Sequence, residues 1–150
     1  MQYPRSQKYN TPSLMAKIMG PNPIKLEEEL LADCRFPQDA VVCDLGSGQG
    51  LTSVFLAKEY GVTVYAADLW SDPEENRHFF REMGLSDDRI IPVKADATDL
   101  PFEKEFFDAV VSTDSYKTRS ALSRRKAAAV SQKGRPPLHR DSRYEARLSR

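Results

Sequence analysis

The stretch VVCDLGSGQG, Val41 to Gly50, decides the fold. Ala40 to Leu45 is a short apolar run with two valines, the pattern of a strand buried on both faces of a sheet. Gly46, Gly48 and Gly50 follow, after which Leu51, Val54 and Phe55 recur at helical spacing to about Glu59, with Gly61 as the stop. A strand, a glycine turn and a helix in this order aim the helix's free N–H groups and positive dipole end at the turn. Glycine in such a turn lets the backbone come close to a ligand.

Residues on either side extend the alternation. Residues 1–21 have no clear period and several turn formers (Pro4, Pro12, Gly20, Pro21), and read as an arm or lid-like lead-in. Asn22-Pro23 supplies an N-cap and a proline at the first helical position. The helix after it runs to about Cys34, with Ile24, Leu30, Leu31 and Cys34 near one face and Glu27 to Glu29 away from it. Val62 to Ala67 is a second buried strand. Asp72-Pro73-Glu74-Glu75 starts a helix that should reach Met83, closed by Gly84. Ile90 to Ala95 is a third strand, whose Pro92 favours a sheet edge. Phe106 to Ser112, FFDAVVS, is a fourth. Strands and helices alternating through short connections predict an α/β fold, a parallel sheet with helices on its faces.

Composition sets limits on function. With 150 residues the chain makes one compact domain, and 40% hydrophobic with 29% charged residues is ordinary for a globular protein. No apolar run approaches the ~18 residues of a membrane span, and the polar start MQYPRSQKYN lacks a signal core. These features predict a cytoplasmic location. Cys34 and Cys43 form no CxxC, and neither His78 nor His139 joins them in a ligand set, so buried thiols and no metal are expected. Charge is asymmetric. Residues 1–116 carry 11 Lys+Arg against 20 Asp+Glu, while residues 117–150 carry 11 against 2. That last stretch has Leu122, Val130, Leu138 and Leu148 as its only large aliphatics, a composition that predicts disorder. The chain therefore divides into an arm at 1–21, a domain at 22–116 and a basic tail at 117–150.

Two ligand classes use a corner of this kind. Dinucleotides place a pyrophosphate there under the spacing GxGxxG; S-adenosylmethionine places its methionine carboxylate end there under a tighter one. The run Asp44-Leu-Gly46-Ser47-Gly48-Gln-Gly50 resembles motif I, D/E-x-G-x-G-x-G, of class I S-adenosylmethionine-dependent methyltransferases. Asp68 closes the second strand. The resemblance implies that it accepts hydrogen bonds from both ribose hydroxyls, as a carboxylate can; it would serve NAD as well, and a solvated strand-end aspartate is the plainer alternative. Leu69 and Trp70 would then lie against the adenine, although Trp70 equally suits interhelix packing. Lys94 to Phe102, KADATDLPF, is similar to the family's G/A-D-A-x-x-L-P-F segment, in which Asp96 would accept from the adenine amino group and the Ala97 N–H donate to a ring nitrogen. Phe107 to Ser112 resembles the FD-x-V-x-S/C strand that follows. The resemblance thus implies a Rossmann-like sheet with parallel strand order 3-2-1-4, S-adenosylmethionine as cofactor, and methyl transfer by in-line displacement.

The acceptor is less legible. Ser112 to Tyr116, STDSY, is not the N/D-P-P-Y/F motif of enzymes that methylate planar amines, which disfavours nucleic acid as substrate. The pattern is similar to the type 11 methyltransferases of ubiquinone and menaquinone biosynthesis, implying a small-molecule acceptor. Asp114 and Tyr116 stand at the carboxyl end of strand four, where an acceptor-facing group would sit. The lead-in, with Tyr9, Met15 and Met19, would cover such an acceptor if it acts as a lid, and otherwise packs as core. Family members continue to a seven-stranded order, 3-2-1-4-5-7-6, and no such strands are read past Tyr116. The resemblance therefore stops near residue 116, as truncation or a frameshift would produce, leaving the C-terminal strands missing and strand four as an exposed edge. On that expectation the chain is the cofactor half of an enzyme, with weak or no catalysis of its own. The rival is a nucleic-acid-binding module using the basic tail.

Overall fold

The computed structural model describes residues 3–18, 20–97, 99–103, 106–113, 128–132 and 138–139. Its centre is a sheet in which β1 (Val41–Leu45), β2 (Thr63–Asp68), β3 (Ile90–Lys94) and β4 (Ala109–Thr113) run parallel in the order β3-β2-β1-β4, as the sequence predicts. Pro92 sits in β3 at the sheet's edge, where its missing N–H costs no ladder bond.

The far side of β4 departs from expectation. β5 (Ala128–Gln132) pairs antiparallel with β4, and β6 (Leu138–His139) with β5, so β4 is not an exposed edge and the stretch 117–150 is not without regular structure. The open N–H and C=O row of an apolar strand is a template for any extended segment. Ala128-Ala129-Val130, within the stretch whose composition predicts disorder, supplies that segment.

α1 (Pro12–Met15) and α2 (Pro23–Leu30) precede β1, α3 (Leu51–Tyr60) joins β1 to β2, and α4 (Pro73–Glu82) joins β2 to β3. Local chemistry starts each of the last three. Asn22 Oδ1 accepts from the N–H groups of Ile24 and Lys25 at 3.0 and 3.3 Å, and Asp72 Oδ1 accepts from Glu74 N–H at 2.9 Å. α3 starts instead from Gly50 with no capping side chain. Period-2 alternation divides the sheet. Val42, Val64 and Val111 face a core made with Ile24, Leu31, Phe55, Leu56 and Phe80, whereas Cys43, Leu45 and Ala67 face Leu100, Phe107 and Val110. Phe106 and Phe107 precede β4 rather than belong to it, and pack with Tyr65 and Phe102 on that second face.

Of the two readings of the arm, packing as core is the one the structure shows, and one sequence expectation needs correction. Tyr9 is buried, meets Phe55 edge-on at 5.5 Å and donates to Glu59 at 2.9 Å; Leu14 is buried, and Lys17 Nζ lies 4.5 Å from the Phe79 ring centre. These contacts tie residues 3–18 to α3 and α4, while Met19 lies outside the described residues. Glu27, expected off the apolar face, is completely buried among α2's core contacts. It lies three residues after Ile24 and three before Leu30, so the helical period carries it inward with them.

Candidate functional site: the glycine corner

The corner forms where β1 ends against β2. Gly46 N–H and Ser47 N–H both donate to the Ala67 carbonyl, at 2.8 and 3.2 Å, and Gly50 N–H returns to Ser47 O at 2.9 Å. Asp68 fastens the middle of the loop. Its Oδ2 accepts from Gly48 N–H at 3.0 Å, while Oδ1 accepts from the Trp70 and Ser71 N–H groups, each at 2.8 Å. Partial burial alone would raise this carboxyl, but the backbone donors Ser71, Trp70 and Gly48 outweigh it and hold Asp68 below its ordinary value. From α4, Asn76 donates its amide to Gly48 O at 3.0 Å. Both polar groups of the Gly48 backbone are thereby fixed by side chains from β2 and α4.

Gly48 and Gly50 are glycines for different reasons. Both have positive φ, +56° and +86°. A Cβ on Gly48 would meet nothing within 4 Å, so the loop there faces open space. A Cβ on Gly50 would stand 2.4 Å from Phe80 Cε1, a buried ring of α4.

Beneath the loop, Asp44 is buried at the end of β1. Its Oδ2 accepts from Thr52 Oγ1 and Ser53 Oγ, both at 2.6 Å, from the first turn of α3. Burial pushes its carboxyl up to about 6, the two hydroxyls partly oppose this, and the charge of Asp68 adds to it. This has a consequence for stability. The folded chain retains a proton on Asp44 between about pH 4 and 6 that the unfolded chain has lost. The raised value therefore favours the fold fully below about pH 4, and that contribution, on the order of 3 kcal/mol, is lost as pH rises through about 6. Asp44→Asn keeps an acceptor for both hydroxyls and cannot titrate. The wild-type minus Asp44→Asn stability, read from urea unfolding, should fall between pH 4 and 6 and level off above 7. A difference flat across that range contradicts the assignment.

The third element lies beside the second. Ala95 N–H donates to Asp68 O at 3.1 Å, placing Asp96 and Ala97 immediately past the end of β3, where both are exposed. Leu69 and Trp70 are exposed too, Trp70 at 69%, so Trp70 is not interhelix packing. The structure thus gathers Asp44, Gly46, Ser47, Gly48, Gly50, Asp68, Leu69, Asp96 and Ala97 at the carboxyl end of β1, β2 and β3. Asp114 and Tyr116 lie outside the described residues. Sequence reading missed Thr52, Ser53, Asn76 and Phe80. The one available signal was a buried strand-end carboxylate, Asp44, that needs donors, with two hydroxyl residues one turn along the next helix. A separate cavity of about 470 Å³, lined among others by Tyr3, Arg5, Glu28, Phe36, Glu59 and Tyr60, opens at the other end of α3.

Comparison with known proteins agrees with this architecture. The family described as "Methyltransferase domain" matches residues 42–133, which takes in the corner, the four parallel strands from β1 onward and β5. The chain belongs to that family. It is 41% identical over 85 residues to a demethylmenaquinone methyltransferase of Clavibacter sepedonicus, covering 57% of this chain and 32% of that protein. A solved structure, a putative sarcosine dimethylglycine methyltransferase from Galdieria sulphuraria, superposes with a TM-score of 0.55 at 23% identity, over 62% of this chain and 36% of that one. The geranyl diphosphate C-methyltransferase of Streptomyces coelicolor A3(2), solved with Mg2+, geranyl diphosphate and S-adenosyl-L-homocysteine, gives a TM-score of 0.51 at 16% identity, over 65% and 50% of the two chains. The chain spans about a third of the length of the curated relatives it matches. No helix among the described residues is long and apolar enough to cross a membrane.

Proposed function

We propose that the glycine corner binds S-adenosylmethionine and that the chain serves methyl transfer to a small-molecule acceptor. The observation that carries this reading is the loop itself: Gly48, held through both backbone polar groups, faces open space beside an uncapped helix start. The residues fit the cofactor's parts. The first turn of α3 offers N–H donors to a carboxylate. Ser47 Oγ is buried and has no hydrogen-bond partner among the described residues, so the loop holds an unused hydroxyl. Asp68, Asp96 and the Ala97 N–H supply the acceptor and donor types that ribose and adenine need, and exposed Leu69 and Trp70 offer an apolar face to the base. NAD would satisfy Asp68 equally, but the G-x-G-x-G spacing, the ADATDLPF run and membership of a methyltransferase family favour the methyl donor.

When bound, the cofactor supplies a methyl group activated on a sulfonium. What this chain contributes is position. The corner fixes the donor at the carboxyl end of the sheet, so that an acceptor entering beyond β4 meets it in line. The acceptors in the names of the three similar proteins differ in chemistry, from a quinone to amines to an allylic diphosphate. Acceptor choice therefore rests on residues outside the shared corner, for which Asp114 and Tyr116 are our candidates. Titration calorimetry of the full chain with S-adenosylmethionine, its demethylated product and NAD tests the reading. We expect saturable one-to-one binding of the first two and none of NAD; binding of NAD alone would overturn it.

A further inference from the structure

α4 carries Asn76, Phe79 and Phe80 on one helical face, and all three are buried. The two rings belong to the core. A buried amide beside them costs free energy unless it is hydrogen-bonded, and Asn76 Nδ2 donates to Gly48 O at 3.0 Å. An apolar residue would suit that stripe equally well, so the role of the amide lies in the carbonyl it holds. The rest of segment 68–76 fixes where Asn76 stands. Asp68 Oδ1 accepts from the Trp70 and Ser71 N–H groups, Asp72 caps α4, and Asn76 N–H donates to Asp72 O at 3.1 Å.

The consequence falls on the next peptide. No peptide bond among the described residues is cis. In a trans peptide the N–H points opposite to the C=O, so holding Gly48 O toward α4 turns the Gln49 N–H away from it. Within the loop this donor is the one left over. The Gly46 and Ser47 N–H groups are spent on Ala67 O, Gly48 N–H on Asp68 and Gly50 N–H on Ser47 O, whereas Gln49 N–H has no partner among the described residues. Gln49 is exposed, and Gly48 beside it borders open space.

We propose that Asn76 is a positioning residue for the amino-acid end of the methyl donor: by fixing the Gly48–Gln49 peptide it presents the Gln49 N–H to the ligand's carboxylate. The inference rests on the methyl-donor reading of the corner. Gly48 then divides the ligand between two side chains. Asp68 holds its N–H and takes the ribose; Asn76 holds its C=O and, through Gln49, serves the carboxylate. Without the amide, the freedom of glycine at position 48 lets this peptide rotate, and the Gln49 N–H is no longer aimed. A donor set in place beforehand needs no ordering when the ligand arrives, and its hydrogen bond to a charged group is stronger than one to a neutral group.

Asn76→Leu removes the amide at a similar side-chain size, and Asn76→Ala serves should the leucine disturb α4. Titration calorimetry with S-adenosylhomocysteine and with S-adenosyl-3-thiopropylamine, the same molecule without its carboxylate, separates aim from fold. We expect both variants to bind S-adenosylhomocysteine about tenfold more weakly than the wild type, and the decarboxylated compound within about twofold of it. In the isotope-labelled wild type, the Gln49 amide proton resonance should move downfield with S-adenosylhomocysteine and not with the decarboxylated compound, a readout that needs no variant. Equal losses for the two ligands in the variants, or a Gln49 amide that responds alike to both, overturn the inference alone. Failure of S-adenosylhomocysteine to bind the wild type overturns the methyl-donor reading, and the inference with it.

Discussion

Gly50→Ala should destabilise the chain by about 2–5 kcal/mol, whereas Gly48→Ala costs only about 1 kcal/mol. Both residues have positive φ, so both alanines carry the left-handed penalty. Only at position 50 does the new methyl collide, at 2.4 and 2.6 Å from two atoms of the Phe80 ring. Phe80 has 1% exposure and lies against the Phe79 ring, so it has no free volume to retreat into. Relief requires α4 to move away from α3, and that movement pulls Asn76 from Gly48 O as well. Against a total of about 5–15 kcal/mol for a domain, this loss is large. Urea unfolding of the two variants measures it, and Phe80→Leu in the Gly50→Ala background should recover a substantial part. A Gly50→Ala midpoint equal to that of Gly48→Ala would contradict the contact. Binding should show the reverse ranking: Gly48→Ala folds but puts a methyl where the ligand approaches.

How legible this was depended on whether a residue's role was local. The strands, the caps at Asn22 and Asp72 and the edge position of Pro92 follow from neighbours in sequence, and the structure keeps them with shifts of a residue or so at β1 and β2. β4 starts three residues later than predicted, because Phe106 and Phe107 look like strand residues but are needed for an aromatic cluster with Tyr65. The glycine corner was legible as a motif, but its fastening was not. Asn76 and Phe80 come from a helix that begins more than twenty residues after Gly50, and no local pattern marks them. Glu27 is a different kind of miss. Ile24, Glu27, Leu31 and Cys34 fall on one helical face, so the period was readable, but a charged type was assumed to face water. β5 could not be read because its pairing depends on the free edge of β4 rather than on its own composition.

Asp68→Ala should abolish measurable cofactor binding, a loss of at least a hundredfold, or about 3 kcal/mol. Two contributions combine. The carboxylate is the proposed acceptor for the ribose, and it is also what holds Gly48 N–H and the turn at Trp70 and Ser71. Asp68→Asn separates size from charge. Its one remaining oxygen should turn to the Trp70 and Ser71 N–H groups, which are two donors against one. The amide nitrogen then confronts Gly48 N–H, donor against donor, and the loop opens. The isosteric variant should therefore bind nearly as poorly as alanine, although its unfolding free energy, read from urea, falls by only about 1 kcal/mol because this turn is partly exposed and water replaces the lost acceptor. Oδ1 already accepts two hydrogen bonds and Oδ2 one, which leaves Oδ2 room for one ribose hydroxyl while Gly48 stays bound. Accepting both hydroxyls requires Gly48 N–H to release. Calorimetry with S-adenosylhomocysteine and its 2′-deoxy and 3′-deoxy analogues distinguishes the two cases. Equal losses for both analogues mean that the loop releases, and a loss for only one means that it stays closed. Asp68→Asn binding within about threefold of wild type would remove Asp68 from the site altogether.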